Sequence, residues 1–254
     1  MIHIVGAGCG ALDLITLRGK RYLEEADVII YAGSLVNPAL LGFAKKDCTV
    51  FDSAKMTLEE VLGVIEKAEA QGKTTVRLHT GDPSLYGAIA EQMRAFEKSG
   101  FAYDITPGVS AFSGAAASLG TEYTLPDVTQ TLIITRVAGK TAVPEKERLR
   151  LLASHGSSLA LYLSTGLLKE VTEELLAAGL AERTPAAIVY KATWEDEKIC
   201  RCTVATLEQT ARENGITKTA LIVVGDFLNS DFSLSRLYAP DFETEFRKAK
   251  HETH

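Results

Sequence analysis

His79-Thr80-Gly81-Asp82-Pro83-Ser84-Leu85-Tyr86-Gly87 breaks the apolar strand Thr75-Val76-Arg77-Leu78 into a tight turn, and after it Leu85, Ile89, Met93 and Phe96 recur at helical spacing. A strand end that turns into a helix start is where an open α/β sheet places its ligands. Asp82-Pro83 supplies the stop and the restart, because Pro presets φ and Asp82 or Ser84 can cap free N–H groups, so a helix is expected over 84–98. A second loop of this kind, Thr106-Pro107-Gly108-Val109-Ser110, follows the strand Tyr103-Asp104-Ile105 and opens the small-residue helix Ala111 to Leu119. A third, Gly6-Ala7-Gly8-Cys9-Gly10-Ala11, follows the first strand, Ile2 to Val5. Glycines at the ends of three parallel strands let backbone approach a ligand closely, so the three loops are expected to form one site.

The rest of the first half alternates strand and helix: a helix near 16–26, strands at 28–31 and 48–51, a short helix after Asn37-Pro38, and a helix opened by the capping-box pattern Thr57-Leu58-Glu59-Glu60 and stopped near Gly72. This order makes a parallel sheet. From Gly120 to Gln130 the chain is polar and turn-rich, which marks a domain boundary. Beyond it, strands are expected at 131–135, 158–163, 186–191, 198–204 and 219–224, with helices at 145–154, 168–178 and 206–213. The link Thr193-Trp194-Glu195-Asp196-Glu197 is too short for a helical crossover, so 186–191 and 198–204 should form an antiparallel hairpin. The expected plan is an N-terminal α/β domain over 1–119, a C-terminal mixed α/β domain over 120–228 and a polar tail over 229–254, with Asp241 to His254 partly disordered.

With 46% apolar and 24% charged residues, the 254-residue chain has the composition of a soluble protein with a sizeable core. Its net charge of −6 gives no general attraction to nucleic acid or to an anionic membrane, so an anionic ligand must be held by local groups. No apolar run reaches the ~20 residues of a membrane span. Cys9, Cys48, Cys200 and Cys202 lack zinc-site spacing and are read as free thiols, and the five histidines are scattered or in the tail; no metal is expected and the location is read as cytoplasmic.

Gly6-Ala7-Gly8-Cys9-Gly10-Ala11 fits G-x-G-x-x-G/A, so a nicotinamide-binding Rossmann domain is an alternative. That reading needs an acid at the end of the second strand, yet Val28-Ile29-Ile30 runs into Tyr31-Ala32-Gly33-Ser34. No nucleophile elbow or Walker loop is present, and no catalytic base is assigned. Loops rich in backbone and poor in acid–base groups suit a reaction whose cofactor carries the reactive group, such as methyl transfer. A non-enzymatic binding module is a further alternative.

Gly6-Ala7-Gly8-Cys9-Gly10 with Asp13-Leu14-Ile15-Thr16-Leu17-Arg18-Gly19, then Thr80-Gly81-Asp82-Pro83, then Pro107-Gly108-Val109-Ser110-Ala111, together resemble the tetrapyrrole methylase family up to about residue 228. Tyr31-Ala32-Gly33-Ser34-Leu35-Val36 departs from the uroporphyrinogen methylases, which tend to carry an Asp-Arg pair where Ala32-Gly33 stand, and is similar to the precorrin methylases of cobalamin synthesis. The resemblance implies two α/β domains with the active site in the cleft between them, S-adenosylmethionine as methyl donor, a tetrapyrrole substrate and a homodimer. It carries donor binding to Cys9, Thr80, Gly81, Asp82, Leu85, Ser110, Ala111, Leu163, Ala192, Thr219 and Ala220. The family usually has Pro where Cys9 stands, so the first loop is expected to be less rigid and its thiol open to exposure while still lining the cleft. A substrate with several carboxylates implies a cationic rim, for which Arg18, Lys20, Arg136 and Lys191 are the candidates.

Overall fold

The computed structural model of the chain describes residues 1–229 and 231–249, with Ser34 described by its backbone alone. Its first sheet contains β1 (Ile2–Gly6), β2 (Val28–Tyr31), β3 (Thr49–Asp52), β4 (Thr75–His79) and β5 (Tyr103–Thr106), in the order β3-β2-β4-β1-β5. All pairings within it are parallel. The helices are α1 (Leu17–Glu25), α2 (Leu58–Glu69), α3 (Ile89–Ser99) and α4 (Ala111–Leu119).

Side chains alternate across a strand, so a sheet covered on both faces needs apolar residues at nearly every position. Val5, Ile29, Val76 and Leu78 pack on one face with Leu23 of α1, and Ile2, Ile4, Val28 and Ile30 pack on the other with Val61 and Ile65 of α2 and Phe96 of α3. α1 starts where Thr16 accepts a bond from Gly19 N. α2 starts at the expected capping box: Thr57 Oγ1 accepts from Glu60 N (3.3 Å) and Glu60 accepts from Thr57 N (2.8 Å).

The chain leaves β1 across β4 to reach β2, and leaves β4 across β1 to reach β5. These neighbouring strands send their connections to opposite sides, which opens a crevice outside their carboxyl ends.

α5 (Leu149–Ala153), α6 (Leu168–Ala177) and α7 (Leu207–Glu213) accompany β6 (Leu132–Thr135), β7 (Ser158–Leu161), β8 (Pro185–Tyr190), β9 (Lys198–Thr203) and β10 (Ala220–Val224). The second sheet has the order β6-β7-β10-β8-β9; β6 and β7 are parallel, β7 and β10 antiparallel. β8 and β9 are neighbours.

The chain divides into two compact units: Met1–Gly120 with Ile188–Cys200 and Asn214–Leu221, and Thr121–Ala187 with Arg201–Glu213 and Ile222–His254. The first therefore reclaims two late stretches, tied together where Lys191 N donates to Thr219 O at 3.0 Å.

The helix expected over 84–98 begins at Ile89. Tyr86 and Ala88 take left-handed backbone (φ 57° and 49°), and Gly87 packs so closely on Pro83 that a Cβ would stand 2.2 Å from its carbonyl oxygen. Asp82 caps the turn, not the helix, through Ser84 N at 2.8 Å. The helix expected over 145–154 is α-helical only from Leu149 to Ala153, and the strand expected over 158–163 stops at Leu161 before Leu163 turns left-handed (φ 53°). Over 241–249 Arg247 donates to the carbonyls of Leu237, Ala239 and Phe242; residue 230 and residues 250–254, the last part of the segment expected to be partly disordered, lie outside the described residues. Among the described residues no helix is long and apolar enough to cross a membrane, and no cluster of metal ligands is present.

Candidate functional site

β1 and β4 end side by side, with Gly6 opposite His79, and the loops beyond them continue the pairing. Ala7 N donates to His79 O (2.7 Å), Gly8 N to Gly81 O (3.2 Å) and Gly81 N to Gly8 O (2.9 Å). The loop after β5 closes from the other side: a Cβ on Gly108 would stand 2.1 Å from Gly81 O, and one on Gly6 would stand 2.6 Å from both Gly108 N and Gly81 O. Three backbones meet where no side chain fits.

Asp82 locks two of these loops together. One carboxylate oxygen accepts from Ser84 N and Oγ, and the other accepts from Gly108 N at 2.9 Å. Burial pushes this carboxyl up, but the bonds from Ser84 and Gly108 outweigh it and hold it below the usual carboxylate range.

Gly81 differs from Gly6 and Gly108. Its φ is +58°, yet a Cβ there would meet only Ala111 N and Ser110 at 3.5–3.9 Å, which is ordinary contact. A Cβ at this glycine would touch the start of α4 without a clash. Near it in the chain or at the end of β5 stand residues with buried polar atoms that make no protein hydrogen bond, Thr80 Oγ1, His79 Nε2 and Thr106 Oγ1; Thr75 Oγ1 at the start of β4 is another. Buried polar groups are nearly always paired, so each of these hydroxyls has room to accept a further partner.

His79 is 3% exposed, and burial, with the Arg77 charge on the same face of β4, pushes its pKa down to about 3. It is neutral in the folded protein. Arg77 donates to Gln92 Oε1 (3.1 Å) and Ile30 O (3.0 Å), and burial lowers its pKa only to about 10, so it stays charged. Neither residue was marked by sequence patterning, because an Arg and a His in an apolar strand carry no periodic signal.

The first unit holds ten of the eleven expected donor-binding residues; Leu163, 62% exposed, belongs to the second. Leu85 follows the Asp82 turn, its N–H donating to Asp82 O at 3.2 Å. Ser110 is buried at the start of α4, just before Ala111. Ala192 is buried, and Thr219 (φ 58°) precedes Ala220 at the start of β10. The Cys9 thiol, expected to be open to exposure, is buried: its Sγ lies 3.4 Å from Thr193 Oγ1 because the 191–197 segment covers the first loop.

Of the four candidate rim cations, three are engaged within the chain. Lys20 pairs with Glu24, Lys191 with Asp196 (2.5 Å), and Arg136 donates to the carbonyls of Val137, Thr141 and Ala142. Arg18, exposed at the start of α1, makes no hydrogen bond or ion pair with described residues.

A parallel sheet whose switch point is built from three interlocked glycine loops, with no acid directly after β2, suits a ligand that approaches backbone closely. Residues 1–208 match the family of tetrapyrrole (corrin/porphyrin) methylases, and the chain belongs to that family. It is 52% identical to the cobalt-precorrin-4 C(11)-methyltransferase of Methanocaldococcus jannaschii, across 98% of this chain and 96% of the relative. The precorrin-4 C(11)-methyltransferase of a Sinorhizobium species is 44% identical, across 97% of this chain and 98% of the relative. Among solved structures, that of a cobalamin biosynthetic enzyme, cobalt-precorrin-4 methyltransferase, superposes with a TM-score of 0.88 at 47% identity, covering 90% of this chain and 95% of that one.

Proposed function

We propose that this chain transfers a methyl group from S-adenosylmethionine to C-11 of precorrin-4 or cobalt-precorrin-4 in cobalamin biosynthesis. The observation that carries the reading is the meeting of the three glycine loops at Gly6, Gly81 and Gly108, with the buried Thr80 and Thr106 hydroxyls left without a protein partner. The similarity to the two C(11)-methyltransferases over nearly their whole lengths supports the substrate and the ring position.

The loop residues fit the donor. Thr80 and Thr106 offer hydroxyls, Gly81, without a side chain, lets backbone approach a ligand, and Ser110 and Ala111 supply a small-residue wall. Cys9, Leu85, Leu163, Ala192, Thr219 and Ala220 complete the proposed set, with Asp82 fixing the loops' separation. Bound there, S-adenosylmethionine supplies a methyl already activated by its sulfonium, so no enzyme nucleophile is required. The protein's part is to hold the reacting atoms in line and exclude water, worth about 7–11 kcal/mol in favourable intramolecular cases. Incubation with the donor and each early precorrin, with and without cobalt, followed by NMR, should place the new methyl at C-11. A methyl at another carbon, or no turnover despite tight donor binding, overturns the assignment.

The reading includes a cytoplasmic homodimer; four free cysteines suit a reducing compartment, and light scattering tests the dimer. Within the proposed rim, Arg18 is the cation with an uncommitted guanidinium, suited to a substrate carboxylate. Arg18→Gln should raise the KM for the tetrapyrrole about tenfold with the donor Kd unchanged, since one charge-assisted bond is lost. An unchanged KM at low salt places the rim elsewhere.

A further inference from the structure

The first glycine loop is held along its length by residues more than 180 positions away. Thr193 Oγ1 accepts from Ala11 N at 3.0 Å and lies 3.4 Å from Cys9 Sγ; Trp194 Nε1 donates to Cys9 O at 3.2 Å. The indole also lies against Gly10, where a Cβ would stand 2.1 Å from Trp194 Cδ1. Asn37 Nδ2 donates to Gly10 O from the remaining side (2.9 Å). The loop has no freedom left at Cys9, Gly10 or Ala11.

The segment that does this is itself strained. Lys191 (φ 47°) and Thr193 (φ 68°) are left-handed without being glycine, a conformation that persists only where surrounding bonds over-determine it. Those bonds are present. Glu197 accepts from Thr193 N and from Ser118 Oγ, both at 2.5 Å, Trp194 N donates to Lys191 O at 3.0 Å, and Lys191 Nζ reaches Asp196 at 2.5 Å beneath the indole face. Strain so supported aims a group, and here the Thr193 hydroxyl and the Trp194 N–H are aimed at the first loop.

We propose that Thr193 and Trp194 are positioning residues for methyl transfer, setting the first glycine loop at the separation from Gly81 that the donor requires. The inference rests on the donor-loop reading above. Thr193 acts through Ala11 N and the Cys9 thiol, and Trp194 through Cys9 O; neither needs to touch the ligand.

Thr193→Val keeps the shape and removes the hydroxyl, Thr193→Ser restores it, and Trp194→Phe keeps a ring without the N–H. Calorimetry with S-adenosylhomocysteine should show Kd raised about tenfold in Thr193→Val and Trp194→Phe, as for one lost hydrogen bond to the loop, with Thr193→Ser within about twofold of wild type. In steady-state assays the KM for the donor should rise by a similar factor while kcat changes little. Gly81→Val serves as the control for the site. If it abolishes binding while Thr193→Val and Trp194→Phe bind as wild type, the positioning role is wrong and the site stands. If Gly81→Val itself binds as wild type, the donor-loop reading fails and the proposal with it. A fall in kcat with unchanged donor KM and Kd also overturns the proposal.

Discussion

Gly108→Ala should unfold the site. Its added methyl carbon would stand 2.1 Å from Gly81 O and 2.9 Å from Gly6 Cα, both backbone atoms, the first held by the Gly8–Gly81 pairing beyond β4 and the second at the end of β1. No rotamer change relieves a clash with backbone, so the third loop must move away and break the Gly108 N to Asp82 bond. Overpacking in well-packed cores costs about 1–3 kcal/mol where side chains can yield, and here a loss above about 3 kcal/mol is expected, with no measurable donor binding. Gly81→Val provides the contrast. At φ +58° an L residue costs roughly 1–2 kcal/mol, but nothing closer than 3.5 Å meets its Cβ, so the fold should survive while the branched side chain fills the ligand's space. Thermal unfolding and calorimetry separate the two effects. A Gly108→Ala protein with wild-type melting temperature and affinity would show that the loops do not interlock as described.

The second large effect is a loss of stability on mild acidification through His79. Its folded pKa is about 3, while an unfolded histidine titrates near 6.5, so below pH ~6.5 the unfolded chain binds a proton that the folded protein refuses. The depressed basic group leaves stability intact above pH ~6.5 and removes about 1.4 kcal/mol per pH unit below it, until the folded pKa is reached. Between pH 6.5 and 4.5 the histidine's share of the loss should approach about 2–3 kcal/mol. Urea unfolding across this range should show the steep slope in wild type and a flatter one in His79→Gln. Equal slopes would assign the acid sensitivity to another group.

The first sheet was legible because its signals are local. Short continuous apolar runs, the Thr57 capping box and glycines directly after strands each act within a few residues, and β2 and the start of α4 at Ala111 fall where those signals place them. The start of α3 was missed because Pro83 and Leu85 look helical one residue at a time, while the packing of Gly87 on Pro83 O decides the chain's path. The bracing of Cys9 by Thr193 and Trp194 was invisible for a different reason. Nothing within either segment's own pattern announces a partner more than 180 residues away.

The placement of β1 at the interior of its sheet has a consequence for how the protein is born. β1 pairs with β4 and β5, whose partner residues begin at Thr75 and Tyr103, so during synthesis it waits unpaired while the intervening chain is made. Such distant pairings are slow to close and leave an apolar strand exposed in the meantime. Even when Gly6, Gly81 and Gly108 have met, the first loop lacks its brace until residues 193–194 emerge, several seconds later at roughly 5–20 residues per second. A nascent or truncated chain ending before that point therefore carries all three glycine loops and still lacks the bonds from Thr193 and Trp194 that hold the first of them.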